Sequence, residues 1–153
     1  MNLLRDRTKW VLPVVIGIAA AAGWADPTPF RWQGNRGWEP ESAYCRLYDA
    51  KRVVTLHGTV QRVEKIIPMK GMGYGVHLIL KTQDETIPVH LGPTWYVERQ
   101  MVQIHAQDVV EVTGSRVPCD GKPIILAALI RRGNDTVKFR ELSGTPGWAG
   151  WRH

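Results

Sequence analysis

Between residues 53 and 142 apolar and polar positions alternate in period two, break once into a helical period, and then alternate again. Val54, Leu56, Gly58 and Val60 alternate with polar neighbours as far as Arg62, which predicts a first strand. Residues 76–81 and 86–91 predict the second and third strands, with Gln83, Asp84 and Glu85 turning between them. Pro88 has no amide hydrogen to donate, so its position is expected at a sheet edge or a bulge. Gly92 and Pro93 end that strand, and the fixed φ of Pro93 suits the first turn of a helix over residues 94–102. That helix is expected to plug one end of the fold by burying Trp95, Val97 or Met101. Strands resume at residues 108–114, 123–131 and 136–140, with Asp120-Gly121 and residues 133–135 as turns. The run 123–131 is apolar on both faces, which predicts a cover on its outer side. Gly58 and Gly114 lie within strands, where a missing side chain permits sharp coiling. Three strands, a helix, then two or three strands is the order of a small closed barrel of the oligonucleotide/oligosaccharide-binding type. The expected fold is therefore mainly β: an OB-fold-like barrel of five to six strands, preceded by an N-terminal hydrophobic helix.

The flanks read differently. Residues 1–10 carry Arg5, Arg7 and Lys9, and residues 11–23 are apolar apart from one proline and two glycines. Gly23 and Ala25 then stand as the small residues of a cleavage site, the third part of a secretory signal. Trp10 and Trp24 bracket the run as interfacial aromatics bracket a membrane anchor. Residues 1–25 thus read as a signal peptide or a retained anchor, and both send the remainder across the membrane. Residues 26–51 read as a proline- and tryptophan-rich linker and then a short helix over 41–51, with Tyr44 and Tyr48 four apart. The barrel is expected over 52–142, and 143–153 form a Trp/Gly-rich tail. Trp38 and Trp148 are expected to pack on the barrel surface, as are Trp32 and Trp151.

The formal charge of +6 leaves open an anionic membrane or mineral surface, weak nucleic-acid affinity, or plain solubility. Single-strand-binding barrels carry stacking aromatics on strands two and three. Here those strands offer Tyr74 at one end, aliphatics and two histidines, so no nucleic-acid partner is expected. Cys45 and Cys119 form no CxxC pair, which removes zinc-ribbon, thioredoxin-like and c-type haem readings. In an exported chain they are either a disulfide or two free thiols.

No nucleophile elbow, HExxH or phosphate-binding glycine loop occurs, and no enzymatic activity is expected. Gly71, Gly73 and Gly75 precede a strand, so they offer no helix N-terminus to a phosphate. One cluster has chemistry: Met69, Met72, His77 and His90, with Met101 in the expected helix. A plain hairpin turning near Asp84 sets His77 opposite His90 on one face. Thioethers with imidazoles favour a soft ion such as Cu(I), whereas iron prefers imidazole with carboxylate. Copper and iron are the candidate ions; packing alone is the competing reading, since methionines commonly fill gaps. His57 and His105 read as structural or exposed, and Glu64, Glu85 and Glu111 as isolated, solvated carboxylates.

The segments GTVQRVE, PMKGMGYGVHLILKT, PVHLGPTWY, DVVEVTGSRV, DGKPIILAALIRRG and FRELSGTPGWAGWR together resemble the domain shared by the magnetosome proteins MamS and MamX. The resemblance covers roughly residues 55–152. It implies a protein of the magnetosome membrane or lumen, or of the periplasm, that supports growth of magnetite crystals. MamX-like members are expected to carry CxxCH haem motifs; this chain has none, which favours the shorter, MamS-like kind and puts haem-based electron transfer in doubt. Implied partners are other magnetosome membrane proteins and an anionic membrane surface. Two other roles stay open: a periplasmic metal- or redox-handling protein using the Met/His cluster, and a general envelope ligand-binding module.

Overall fold

The computed structural model describes residues 36–150. Six strands account for most of them: β1 (Val53–Ile66), β2 (Gly75–Lys81), β3 (Thr86–Pro93), β4 (Val109–Cys119), β5 (Lys122–Arg132) and β6 (Asp135–Lys138). A single short helix, α1 (Thr94–Val97), follows β3. The segments of the predicted N-terminal helix and cleavage site, with Trp32 and Trp151, lie outside the described residues. No helix among the described residues is long and apolar enough to cross a membrane.

The strands run β3-β2-β1-β4-β5-β6 in one sheet, antiparallel throughout, and β3 also pairs in parallel with β5. The pairings β1–β2, β2–β3, β3–β5, β5–β4 and β4–β1 therefore return to their start, with β6 added on β5. β1 makes this possible by being long enough to serve two neighbours. Its first half pairs with β4, through Val53↔Ser115 to Thr59↔Val109. Its second half pairs with β2, from Thr59↔Lys81 to Ile66↔Gly75, with Gln61 as the extra residue of a bulge. Gly58 sits where one neighbour gives way to the other, and a Cβ there would lie 2.4 Å from the Lys81 carbonyl oxygen. Only glycine permits that approach.

Cross-strand partners share a face of the sheet. Val60, Leu80 and Ile87 form one such row; Leu78, Val89 and Ile125 form another; Val112 faces Ile130. All of them are essentially without solvent exposure, and they make up the inner core. The row His77, His90, Leu126 and Ser115 lies on the opposite, outer face. Leu126 and Ser115 are nevertheless fully buried, because flanking chain covers them. The expectation of a cover over the apolar fifth strand is met: Asp49 accepts and donates backbone hydrogen bonds at the Ser115 hydroxyl (2.8 and 2.9 Å). Phe139 and Arg140 donate their amides to the Ala128 carbonyl.

Of two predicted helices, the one after Pro93 is present but shorter, burying Val97, and the other is split. Residues 94–102 do not form a plug of three turns; α1 ends at Val97, and Met101 is fully exposed. The Gln103 side chain reaches back to the carbonyls of Val97, Glu98 and Gln100 (3.3, 3.4 and 2.6 Å), replacing the amides of a further turn. Residues 41–51 split into two 3₁₀ turns, Cys45–Leu47 and Ala50–Arg52, with Tyr48 extended between them. Asp49 caps the second turn through the Lys51 amide. The split frees Tyr44 and Tyr48 from one helical face, so each meets a different part of the fold.

Candidate functional site

The outer face of β2 and β3 gathers the polar groups that the inner core lacks. The register His77↔His90 places the two imidazoles opposite each other, as the hairpin expectation required. Their ring centroids are 5.5 Å apart and the rings are tilted by 49°. Nε2 of His77 meets Oε2 of Glu64 at 2.7 Å, and Arg62 holds the other carboxylate oxygen. Nδ1 of His90 meets the Tyr44 hydroxyl at 2.8 Å, with the two rings stacked. Four side chains, Glu64, His77, His90 and Tyr44, thus follow one another from a half-exposed carboxylate to a fully buried phenol.

The cover explains the burial. Trp38 lies over Gly75, where a Cβ would come within 2.5 Å of its ring, and Trp148 lies over Gly92 at 2.7 Å. Any side chain at Gly75 or Gly92 would unseat a tryptophan, so these two positions on β2 and β3 need hydrogen alone. The indole of Trp38 donates to the Gly73 carbonyl (3.1 Å), and that of Trp148 donates to the Trp38 carbonyl (2.7 Å). The two indoles and Tyr44 pack edge to face. Each ring of this size buries roughly 200 Å², which outweighs hydrogen bonds worth about 1 kcal/mol each. Aromatic burial therefore holds the two flanking segments down, and the polar contacts set their alignment.

Arg140 completes the arrangement from the C-terminal side. It is fully buried, donates to the carbonyls of Leu91 (3.4 Å) and Ala127 (3.0 Å), and stands 4.7 Å from the Trp148 ring. Those carbonyls lie just beyond the last β3–β5 pair, His90↔Leu126, where the two strands part. The guanidinium bridges the gap that the ladder leaves.

Burial governs the charge states. His90 is pushed down to about 3 by desolvation, with His77 and Arg140 acting the same way, so its imidazole is neutral. Burial raises the Tyr44 hydroxyl well above its usual range, and the nearby Arg140 only partly opposes this. Glu64 is held below the usual carboxylate range by its hydrogen bond with His77 and then by Arg62. Nδ1 of His77 is buried with no hydrogen-bond partner.

The sequence expectations are met unevenly. His77 and His90 come together; Met69 and Met72 lie in the β1–β2 connection, partly buried against the core. The Met72 side chain lies over Gly37, inside the distance at which a Cβ would fit. Met101 is remote from any packing. Among the described residues no group of three or more His, Cys, Asp or Glu side chains is placed to hold one ion. Cys45 and Cys119 are free thiols, Cys45 directing its thiol to the Trp38 carbonyl at 3.7 Å. Burial pushes both thiols up.

The three carboxylates expected to stand alone do not. Glu64 joins Arg62 and His77, Glu85 grips Arg116 in a bidentate pair, and Glu111 lies 3.7 Å from His57 and 3.6 Å from Arg131. Sequence reading also missed Tyr44 and Arg140 as members of the site. The Tyr44–His90 and Arg140–Leu91 contacts join chain 46 and 49 residues apart, and no local spacing announces them. The bulge at Gln61 shifts the register that brings Glu64 to His77, which hid that pair as well.

Comparison with curated proteins and with solved structures gave no match. The family description MamS/MamX magnetosome protein family matches residues 52–137. That span takes in β1 to β5, nearly all of β6, and Glu64, His77 and His90; Trp38, Tyr44, Arg140 and Trp148 fall outside it. It covers more than half of the 153 residues, and the chain belongs to the MamS/MamX magnetosome protein family.

Proposed function

We propose that this chain is a non-enzymatic, magnetosome-associated binding and assembly factor that supports growth of magnetite crystals. Family membership over residues 52–137 is the observation that carries this reading. The ring of strand pairings supports the finer description of the body as an OB-like barrel, a scaffold that serves binding in many settings. Its working face is the outer side of β2 and β3. Buried polar groups with unused hydrogen-bonding capacity cost stability, and they persist where a function requires them. His77 Nδ1 and one terminal nitrogen of the Arg140 guanidinium are groups of that kind.

The basic residues and the apolar run at the N-terminus support placement at the magnetosome membrane or in its lumen, or at the periplasmic side of the inner membrane. Other magnetosome membrane proteins and anionic headgroups are the partners this location offers. Deleting the gene in its native strain and measuring crystals by electron microscopy tests the reading. Smaller or irregular crystals are expected; crystals of normal size and habit would overturn it.

A further inference from the structure

We propose that His77 and His90 hold one borderline first-row transition-metal dication on the outer face of β2 and β3, through Nδ1 of His77 and Nε2 of His90. The inference stands apart from the crystal-growth reading and does not depend on it.

Three observations carry the site. First, the rings face each other from paired backbone positions, 5.5 Å between centroids. Two imidazoles sharing one ion at a metal–nitrogen distance of about 2.0–2.1 Å have centroids about 5 to 5.5 Å apart at a tetrahedral angle. The observed centroid separation is within the range that a shared ion requires. Second, each ring already spends one nitrogen on an orienting partner. Glu64 accepts from Nε2–H of His77, which is the carboxylate–histidine arrangement that fixes a ligand's tautomer and raises its basicity. The lone pair is then at Nδ1, the atom that is buried and has no hydrogen bond. Tyr44 plays the corresponding part at Nδ1 of His90, with Nδ1–H donating to the phenol oxygen in the metal-bound tautomer. Third, both rings are held in place: His90 stacks on Tyr44, and the His77 side chain, tied to Glu64, is only 13% exposed.

The donor set decides the class of ion. The thioethers of Met69 and Met72 are engaged in packing, with Met72 seated over Gly37, so the donors are nitrogens and soft Cu(I) is disfavoured. Two neutral imidazoles suit zinc(II), copper(II), nickel(II) or iron(II). No third His, Cys, Asp or Glu joins them among the described residues. The remaining coordination positions fall to water or a small anion.

Zinc(II) is the probe. It is titrated into the full-length chain while proton–nitrogen correlation spectra of the imidazoles are recorded and binding is followed by calorimetry. One ion per chain is expected, with the largest shifts at Nδ1 of His77 and Nε2 of His90. The double variant His57→Ala/His105→Ala should bind alike, and His77→Ala should bind at least tenfold more weakly. Zinc that moves only His57, His105 or His153 would overturn the proposal, as would a folded His77→Ala variant that binds like the parent. Should His77→Ala not fold, the imidazole spectra of the unaltered chain decide by themselves.

Discussion

The inner and outer faces of β2 and β3 are built by opposite means. Inside, Leu78, Leu80, Val89 and Leu91 belong to one buried apolar cluster, and their alternation fixes which way the strands face. Outside, the same two strands present His77, His90, Gly75 and Gly92 to flanking chain that carries Trp38, Tyr44, Arg140 and Trp148. The inner face needs hydrophobicity and volume, which many sequences supply. The outer face needs particular atoms at particular distances: two glycines to seat two indoles, a phenol for one imidazole, a carboxylate for the other. Generic packing makes the scaffold, and the specified face is where we propose that function resides.

Substitutions should separate the two faces by size of effect and by what is lost. Trp148→Ala should have the largest effect. It empties the seat over Gly92 and removes the ring under Arg140, at a cost of about 4 kcal/mol. Urea unfolding measures the loss, and amide exchange should show the outer cover opening while the β1–β4 ladder stays protected. Equal loss of protection in both would show that the two faces are one cooperative unit.

Leu78→Ala comes next, at about 3 kcal/mol for a fully buried leucine. Here exchange should rise across the whole sheet, because the inner row spans β2, β3 and β5.

The third effect is a pH dependence that belongs to the outer face alone. The folded-state pKa of His90, about 3, lies below its unfolded value of 6.5, so the unfolded chain binds the extra proton between those limits. Stability from this group is therefore complete above about pH 6.5 and is lost as pH falls toward 3, at up to about 1.4 kcal/mol per pH unit. Glu64, Glu85 and Asp108, all held below their ordinary values, add losses of the same sign at lower pH. The interval from pH 6.5 to 5 isolates the histidine. His90→Gln should flatten the slope there, and an unchanged slope would refute the buried neutral state.

Lys65→Ala should have the smallest effect. Lys65 and Glu98 form a solvent-exposed pair at 2.9 Å, and its loss should cost no more than about 0.5 kcal/mol in urea unfolding. A larger cost would assign that pair a structural part that its exposure argues against.

The sequence was legible wherever a feature rests on neighbouring residues or on a simple period. Strand order, the Asp120-Gly121 turn with both residues at positive φ, and the facing of His77 and His90 across a plain hairpin were all of that kind. So was the family, through the combined segments from Gly58 onward. What stayed hidden rests on contacts across the fold. Trp38 and Trp148 are 110 residues apart, yet one indole bonds the other's carbonyl. The bulge at Gln61 moves every later position of β1 by one, which no alternation count reveals. The helix after Pro93 has an apolar period, but its length was decided by the Gln103 side chain capturing three carbonyls.

Complementation addresses the working face most directly. A strain lacking this gene receives the full-length chain unaltered, with His57→Ala, or with His77→Ala at matched protein level, and crystal length is measured by electron microscopy. The unaltered chain and His57→Ala should restore crystals to full length, and His77→Ala should leave them short. Full restoration by His77→Ala would contradict the assignment of function to the outer side of β2 and β3.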